Sequence, residues 1–502
     1  MSDSAIVIGS GFGGLAAAIR MRAKGHRVRI LEAGDSVGGR ARVFHRDGFT
    51  FDAGPTVITA PYLLEELFAS VGRSFSDYVD LVPVDPFYRV QFGDGSAFDY
   101  VGDEERLIEQ IRQFNPADVD GYRRMAAHSE RIFDIGYTQL ADAPFNRLSD
   151  MLRVVPDMVK LESHRTVYGL VSKYIKDERL RQVFTFQPLL VGGSPFRTSS
   201  IYMLIHWLER KWGVHFAKGG TTAIIGAMIK LLEELDVEIE LNAPVNELEV
   251  EAGRVVAVHT EDGTRHPCAF VVSNADPTQV YQMIDAKHRR RHTDRSVTGR
   301  SQSMSLFVAY FGTNKTFDEL AHHTIILGPR YKGLLDDIFK RKILAEDHSL
   351  YLHAPGRSDP SMAPAGKDAF YVLSPVPNMR AGVDWEEQAP QYMDSILSTL
   401  EKSMPGLRDS LETCFHVDPR YFQDTLRSTD GAAFGIEPTL KQSAYFRYHN
   451  QSEDVDGLYF VGASTHPGAG VPGVLCSAKV LEKVLPEPTE HHDVTSTSTR
   501  VA

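Results

Sequence analysis

The sequence predicts an α/β fold in which a parallel, nucleotide-binding layer is split among several chain segments, with a mixed-sheet insertion and a helical region between them. Three observations carry this. The chain opens on a strand, a glycine turn and an alanine-rich helix that lead to a second strand within about thirty residues, the size of one mononucleotide-binding half. Strand-type patterns with turn signals begin at 83–100 and resume between 300 and 440. Short buried-strand patterns beside helices return at 222–273 and 458–485, so the first layer is completed late in the chain. A chain of 502 residues accommodates two to four domains at roughly 150 residues each, with a core able to enclose a pocket.

Residues 5–8 are a continuous apolar run of strand length. Gly9-Ser10-Gly11-Phe12-Gly13-Gly14 follows and matches G-x-G-x-x-G. Gly9 permits the tight turn, Gly11 lets the backbone approach a pyrophosphate, and Gly14 lets helix and strand pack closely. The helix expected over 15–23 offers its free N–H groups to the phosphates. The strand at 27–31 ends on Glu32, whose carboxylate suits ribose hydroxyls and repels a 2′-phosphate. This is a Rossmann-like unit. Six residues on, Gly38-Gly39-Arg40 joins two adjacent glycines to a cation, with Arg42 beyond. It resembles the second dinucleotide motif of FAD proteins in the glutathione-reductase-like group, which points to FAD and to no separate NAD(P) domain.

Short strands around the turn Phe92-Gly93-Asp94-Gly95-Ser96 come next. Residues 118–212 are expected to be mainly helical, punctuated by Pro144, Pro156, Pro188 and Pro195. A helix at 222–235 and strands at 238–241, 245–250, 255–260 and 270–273 form a second α/β block ending in Asn274-Ala275-Asp276. Strands are expected at 305–311, 350–353, 369–375 and 458–461, and a helix at 477–485 closes the fold. The polar, Ser/Thr-rich stretch 486–502 is expected to be disordered.

Hydrophobic and charged shares of 42% and 24% are those of a soluble globular chain. A net charge of −12 argues against a general nucleic-acid binder. Cys268, Cys414 and Cys476 lie far apart, with neither a disulfide framework nor Cys/His metal-ligand spacing, so no metal site is expected and a reducing cytoplasm is the simplest setting. The apolar stretch 5–19 lacks the basic start of a signal peptide. No run reaches the roughly 18 apolar residues of a spanning helix.

Gly457 to Lys479 reads Gly-Leu-Tyr-Phe-Val-Gly-Ala-Ser-Thr-His-Pro-Gly-Ala-Gly-Val-Pro-Gly-Val-Leu-Cys-Ser-Ala-Lys, a strand entering a Gly/Pro turn and then a helix. A helix start here can face the flavin N1–C2=O edge, where hydride arrival leaves negative charge. The segment resembles that of the carotenoid desaturases, in particular the bacterial and fungal phytoene desaturases. Phe51-Asp52-Ala53-Gly54-Pro55-Thr56, Asp85-Pro86-Phe87-Tyr88, Leu190-Val191-Gly192-Gly193-Ser194-Pro195-Phe196, Phe216-Ala217-Lys218-Gly219-Gly220, Val272-Ser273-Asn274-Ala275-Asp276 and Leu373-Ser374-Pro375-Val376-Pro377 are similar to the same family. The likeness runs from about residue 5 to 485.

The resemblance implies a glutathione-reductase/amine-oxidase-like fold. Its FAD-binding domain would be 1–82, 216–285 and 445–485, its substrate domain 83–117 and 286–444, and 118–215 a helical, membrane-facing region. It implies FAD contacts at Gly54, Pro55, Val245, Gly462, Gly470, Val471, Pro472 and Val474 beside Gly9, Gly11, Gly13, Gly14, Glu32, Gly38, Gly39 and Arg40. The implied activity is FAD-dependent desaturation of 15-cis-phytoene in several CH–CH oxidations, with lycopene as product, on a peripherally attached cytoplasmic protein that passes electrons to a quinone or oxygen. Neurosporene-forming and hydroxycarotenoid 3,4-desaturases, a carotenoid isomerase, a flavin amine oxidase and a prenyl-lipid carrier on the same fold are the alternatives.

A hydrocarbon substrate calls for a long apolar tunnel, and helices over 130–212 are suitable lining. Hydride removal leaves an acidic cation-like carbon, so a modest base suffices. Asp150 and Arg153, spaced i,i+3 on a helix, are candidates for the proton step or are simply a surface ion pair. His206, in an apolar aromatic helix, reads as a core histidine. His466 lies inside the flavin segment, close enough for contact or covalent attachment. The basic run 287–295 suits either anionic headgroups or a solvated linker.

Overall fold

The structure, a computed structural model, describes residues 4–488. Nearly all of the tail expected to be disordered, 489–502, lies outside the described residues. Five parallel strands form the first sheet, in the order Leu458–Phe460, Val271–Ser273, Ser4–Ile8, Arg27–Leu31 and Glu238–Glu240. Parallel strands are covered on both faces and so carry unbroken apolar runs; Ala5, Ile6, Val7 and Ile8 are all buried. The helices Phe12–Ala23, Thr221–Glu234 and Val471–Val484 pack against this layer. Val271–Ser273 thus becomes the neighbour of both Ser4–Ile8 and the distant Leu458–Phe460, which places the three glycine-rich turns at one end of one sheet.

An antiparallel sheet of Val245–Glu251, Arg254–Thr260 and Arg265–Pro267 stands beside it. Its first hairpin turns at Ala252 and Gly253, both at positive φ, as a two-residue turn matching strand twist requires. A third sheet of seven strands runs in the order Leu411–Val417, Ser305–Thr313, Asp368–Val376, Leu350–His353, His323–Ile326, Tyr88–Gln91 and Ala97–Tyr100. Of its pairings, that of His323–Ile326 with Tyr88–Gln91 is parallel and the others antiparallel. All nine residues of Ser305–Thr313 are buried. One face of the sheet packs Phe307, Trp385, Tyr392 and Ile396, and the other packs aromatic residues of the 118–215 region.

Two expectations are corrected. The last helix begins at Val471 rather than 477. Pro472 looks like a breaker, but in the first helical turn its missing N–H costs nothing. The strands His323–Ile326 and Leu411–Val417 carry little apolar alternation and form through their partners. Among the described residues no helix is long and apolar enough to cross a membrane.

Candidate functional site

The Phe12–Ala23 helix starts at Gly11 with no side-chain cap and no acidic residue in its first turn, so its N–H groups and positive dipole end stay available to an anion. Asn274, at the end of the Val271–Ser273 strand, lies against this turn. A Cβ on Gly13 would stand 2.4 Å from Asn274 Oδ1 and 3.1 Å from Gly462 N, and one on Gly14 would stand 2.0 Å from Gly9 O. The second glycine pair closes on the first: Gly38 N–H donates to Ser10 O at 3.1 Å, and Gly39 sits at φ +56° over Gly11. Glu32 is buried; its Oε2 accepts from Ser10 N–H (2.8 Å) and Ser10 Oγ (2.6 Å), and Oε1 accepts from Gly34 N–H (2.8 Å). Oε2 thus has both lone pairs engaged, and Oε1 keeps its second for a ribose hydroxyl.

Arg40 provides the test of fit to a dinucleotide. Its Nη2 donates to Ser428 Oγ at 2.9 Å, its buried Nε has no partner, and no carboxylate pairs with it. Burial lowers its pKa and the charge of Asp276 only partly offsets this. A largely sequestered cation that, among the described residues, has only the distant charge of Asp276 to balance it, facing glycines that leave room where Cβ atoms would stand, suits a pyrophosphate.

A second uncapped helix start lies opposite. Gly468-Ala469-Gly470-Val471-Pro472-Gly473 repeats the glycine spacing of 9–14 and leads into Val471–Val484, a repetition that sequence reading overlooked. Gly13 and Val474 are in direct reach of one another, so the two helix starts converge. Buried Arg447 supports this turn from below, donating to the carbonyls of Ala463 and Thr465. His466 Nε2 donates to Ala143 O at 3.0 Å, Phe145 packs edge-on against it, and burial holds its imidazole at about 3, hence neutral.

One cavity of about 590 Å³ joins this cradle to an apolar chamber lined by Leu189, Leu306, Val308, Ile325, Leu373 and Phe434. Few polar groups reach it. Asp52 Oδ1 accepts from Thr221 N–H at 2.8 Å while Oδ2 has no partner, and burial pushes its carboxyl up to about 7. Thr56 Oγ1 links Tyr371 OH (2.6 Å) and Tyr351 OH (3.1 Å). Glu209 Oε1 accepts from Tyr88 OH at 2.7 Å, its Oε2 is unpartnered, and burial pushes it up to about 8.

Gly11, Gly13, Gly38, Gly39, Arg40, Gly54, Pro55, Gly462, Gly470, Val471, Pro472 and Val474 all line the cavity. Gly9, Gly14 and Glu32 lie behind it in the turn. Val245 lies beyond Glu32, two residues after Ala243, whose N–H donates to Glu32 O. Asp150 and Arg153 do not line it, and their expected i,i+3 pair does not form. Asp150 accepts from Arg147 N–H at 3.0 Å at the start of the Leu148–Lys160 helix, where a carboxylate is favoured, and Arg153 is exposed. Met151, Val154 and Met158 of that helix do reach the cavity. His206 is buried with Nδ1 on Tyr100 OH at 2.7 Å. The basic run is largely tied down: Arg290, Arg291 and His292 donate backbone N–H groups to Asp454, Arg289 pairs with Asp294, and Arg291 pairs with Glu453. Asp52, Glu209 and Arg447 escaped sequence reading because their burial is created only by distant segments.

The family model of flavin-containing amine oxidoreductases matches residues 12–479. A lycopene-forming phytoene desaturase of Pantoea ananas is 51% identical over 477 residues, covering 94% of this chain and 97% of the relative. Another from Pseudescherichia vulneris is 51% identical over 487 residues, covering 96% and 99%. A neurosporene-forming phytoene desaturase of Cereibacter sphaeroides is 44% identical over 492 residues, covering 97% and 95%. Among solved structures, an oxidoreductase from Methanosarcina mazei aligns with a TM-score of 0.64 at 17% identity, over 96% of this chain and 100% of that one, a likeness of fold.

Proposed function

The chain belongs to the flavin-containing amine oxidoreductases and, within them, to the phytoene desaturases, and on that premise we propose that it converts 15-cis-phytoene to lycopene in several FAD-dependent CH–CH oxidations. The observation that carries this is the single cavity running from a dinucleotide cradle into a chamber walled by aliphatic side chains. The 51% identity to two lycopene-forming relatives favours that product over neurosporene. Expression in a host that accumulates phytoene should turn cells red, with lycopene on chromatography. Untouched phytoene beside a flavin-loaded protein rejects the reading.

Gly11, Gly13, Gly38, Gly39 and Arg40 would hold the pyrophosphate, and Gly462 with the 470–474 turn the ring. Bound FAD supplies the hydride acceptor. The chain supplies the rest. Leu189, Leu306, Val308 and Leu373 exclude water, so a hydrocarbon enters at no cost in lost hydrogen bonds. The free N–H groups at Gly470 favour negative charge on that wall. Asp52 Oδ2 is the proton acceptor for the carbon next to the one losing hydride: its other oxygen is fixed by Thr221, and its raised pKa makes it a base near neutrality. A quinone or oxygen takes up the electrons afterwards.

Attachment to a bilayer is supported by the Leu148–Lys160 helix. Leu148, Leu152, Val155 and Val159 recur at i, i+4, i+7 and i+11 and are 53%, 63%, 39% and 63% exposed. Met151, Val154 and Met158, on the adjoining side, line the cavity. One continuous apolar arc of this helix, with Asp150, Arg153, Asp157 and Lys160 opposite, therefore leads from the exposed edge to the cavity, a path along which a lipid-dissolved substrate can pass. Burying such side chains is worth about 1.5–3 kcal/mol each. Leu152→Asp with Val159→Asp should cut co-sedimentation with phosphatidylcholine vesicles at least tenfold; unchanged sedimentation removes this helix from the contact.

A further inference from the structure

A buried cluster of three histidines lies under the cavity wall, outside the chemistry described above. Antiparallel pairing of His323–Ile326 with Leu350–His353 sets His323 directly opposite His353, and His322 precedes the first of these strands. The three rings are 4%, 0% and 0% exposed, and each offers a nitrogen within 4.8 Å of the others. His322 Nε2 and His353 Nε2 are 3.1 Å apart. The remaining nitrogens are partly committed: His322 Nδ1 bonds Ser358 Oγ at 2.7 Å, and His323 Nδ1 bonds Tyr351 OH at 2.7 Å. His323 Nε2 and His353 Nδ1 have no hydrogen-bond partner among the described residues.

We infer that His322, His323 and His353 form a binding site for one late first-row divalent cation, with Zn²⁺ the reference ion. Imidazole is a preferred ligand for such ions, and three-histidine sites are an established donor set. Two nitrogens bound at about 2.0–2.1 Å in a tetrahedral site lie roughly 3.3 Å apart, close to the spacing His322 and His353 already have. Hydroxyl partners on the far ring nitrogens of His322 and His323 are the outer contacts that orient ligating histidines. Arg357 is the cation whose charge reaches His322, and it is itself paired with Asp318 and Asp368. Half-buried Ser358 gives a route from solvent. Through His323 and Tyr351 the ion would brace the strand pair that backs the substrate cavity. It is a structural brace, and its binding requires neither FAD nor turnover.

Zn²⁺ alone, offered by equilibrium dialysis to full-length, FAD-loaded chain stripped with chelator, is expected to bind at about one ion per chain and to raise Tm. His323→Asn and His353→Asn should each weaken it at least 100-fold and abolish the Tm rise while FAD content is unchanged. X-ray absorption on the unaltered chain should find three imidazole scatterers, a readout that does not depend on variants folding. Replacing His491 and His492, the other adjacent His pair in the sequence, should leave the stoichiometry alone. The site is refuted by no binding at micromolar Zn²⁺, by fewer than three imidazoles at the ion, by an affinity in either Asn variant unchanged from that of the parent chain, or by loss of the ion with His491 and His492.

Discussion

Arg40→Ala should yield a folded chain that does not retain its flavin through gel filtration. Among the described residues Arg40 has one neutral hydrogen-bond partner, Ser428, an orphaned buried Nε and no carboxylate within ion-pair distance. A cation in that state is stabilised by the anion it awaits. Losing a buried charged partner at a binding site costs about 2–5 kcal/mol, which is roughly 30- to several-thousand-fold in Kd. Flavin-to-protein absorbance ratios, and titration with FAD followed by flavin fluorescence, read this directly. Arg40→Lys restores the charge without the planar fork and should fall between. Tight flavin retention by Arg40→Ala would move the pyrophosphate elsewhere. Gly14→Val separates the two halves of the cradle argument: its Cβ would stand 2.0 Å from Gly9 O, a clash with backbone that nothing flexible relieves. That variant should lose the fold rather than only the cofactor.

The nucleotide end was legible because its chemistry depends on backbone. Close approach of main chain to phosphate demands glycine at fixed spacing, and fixed spacing survives in a linear string. Gly9–Gly14, Glu32 and Gly38–Arg40 could therefore be placed before any fold was known. Asn274 shows where this stops. It closes the glycine turn only because Val271–Ser273 pairs with Ser4–Ile8 in register, Ile8 opposite Ser273. The histidine cluster depends in the same way on the opposition of His323 and His353, thirty residues apart with no ligand-type spacing. Asp150 stands out in the sequence for its spacing to Arg153, yet spacing along a helix says nothing of competition from the helix's own N–H groups. Burial, which turns Asp52 from an ordinary acid into a base near neutrality, is a property of the assembled sheets and has no local signal.

Asp52→Asn is expected to lower turnover by about 10²–10⁴-fold, the usual worth of a positioned base, while FAD binding and its visible spectrum persist. Asn keeps the acceptor oxygen for Thr221 N–H, so the geometry holds and only the proton acceptor is lost. The pH dependence gives an independent sign. Burial raises the carboxyl from 3.8 to about 7, so its charged, proton-accepting form grows as pH rises through about 7. Wild-type turnover should climb tenfold per pH unit below that point and level above it, and Asp52→Asn should lose this limb. Stability runs the other way. Between about pH 4 and 7 the unfolded chain gives up this proton and the folded chain keeps it, so folding weakens as pH rises through that window, by on the order of 4 kcal/mol in total. Above pH 7 Asp52→Asn should therefore be more stable than the parent chain and nearly inactive, a combination that a residue serving only structure does not produce. Asp150→Asn in the same assay decides between the two carboxylates: if it alone removes the acid limb, the base sits at the cavity mouth and Asp52 only fixes the Thr221 turn.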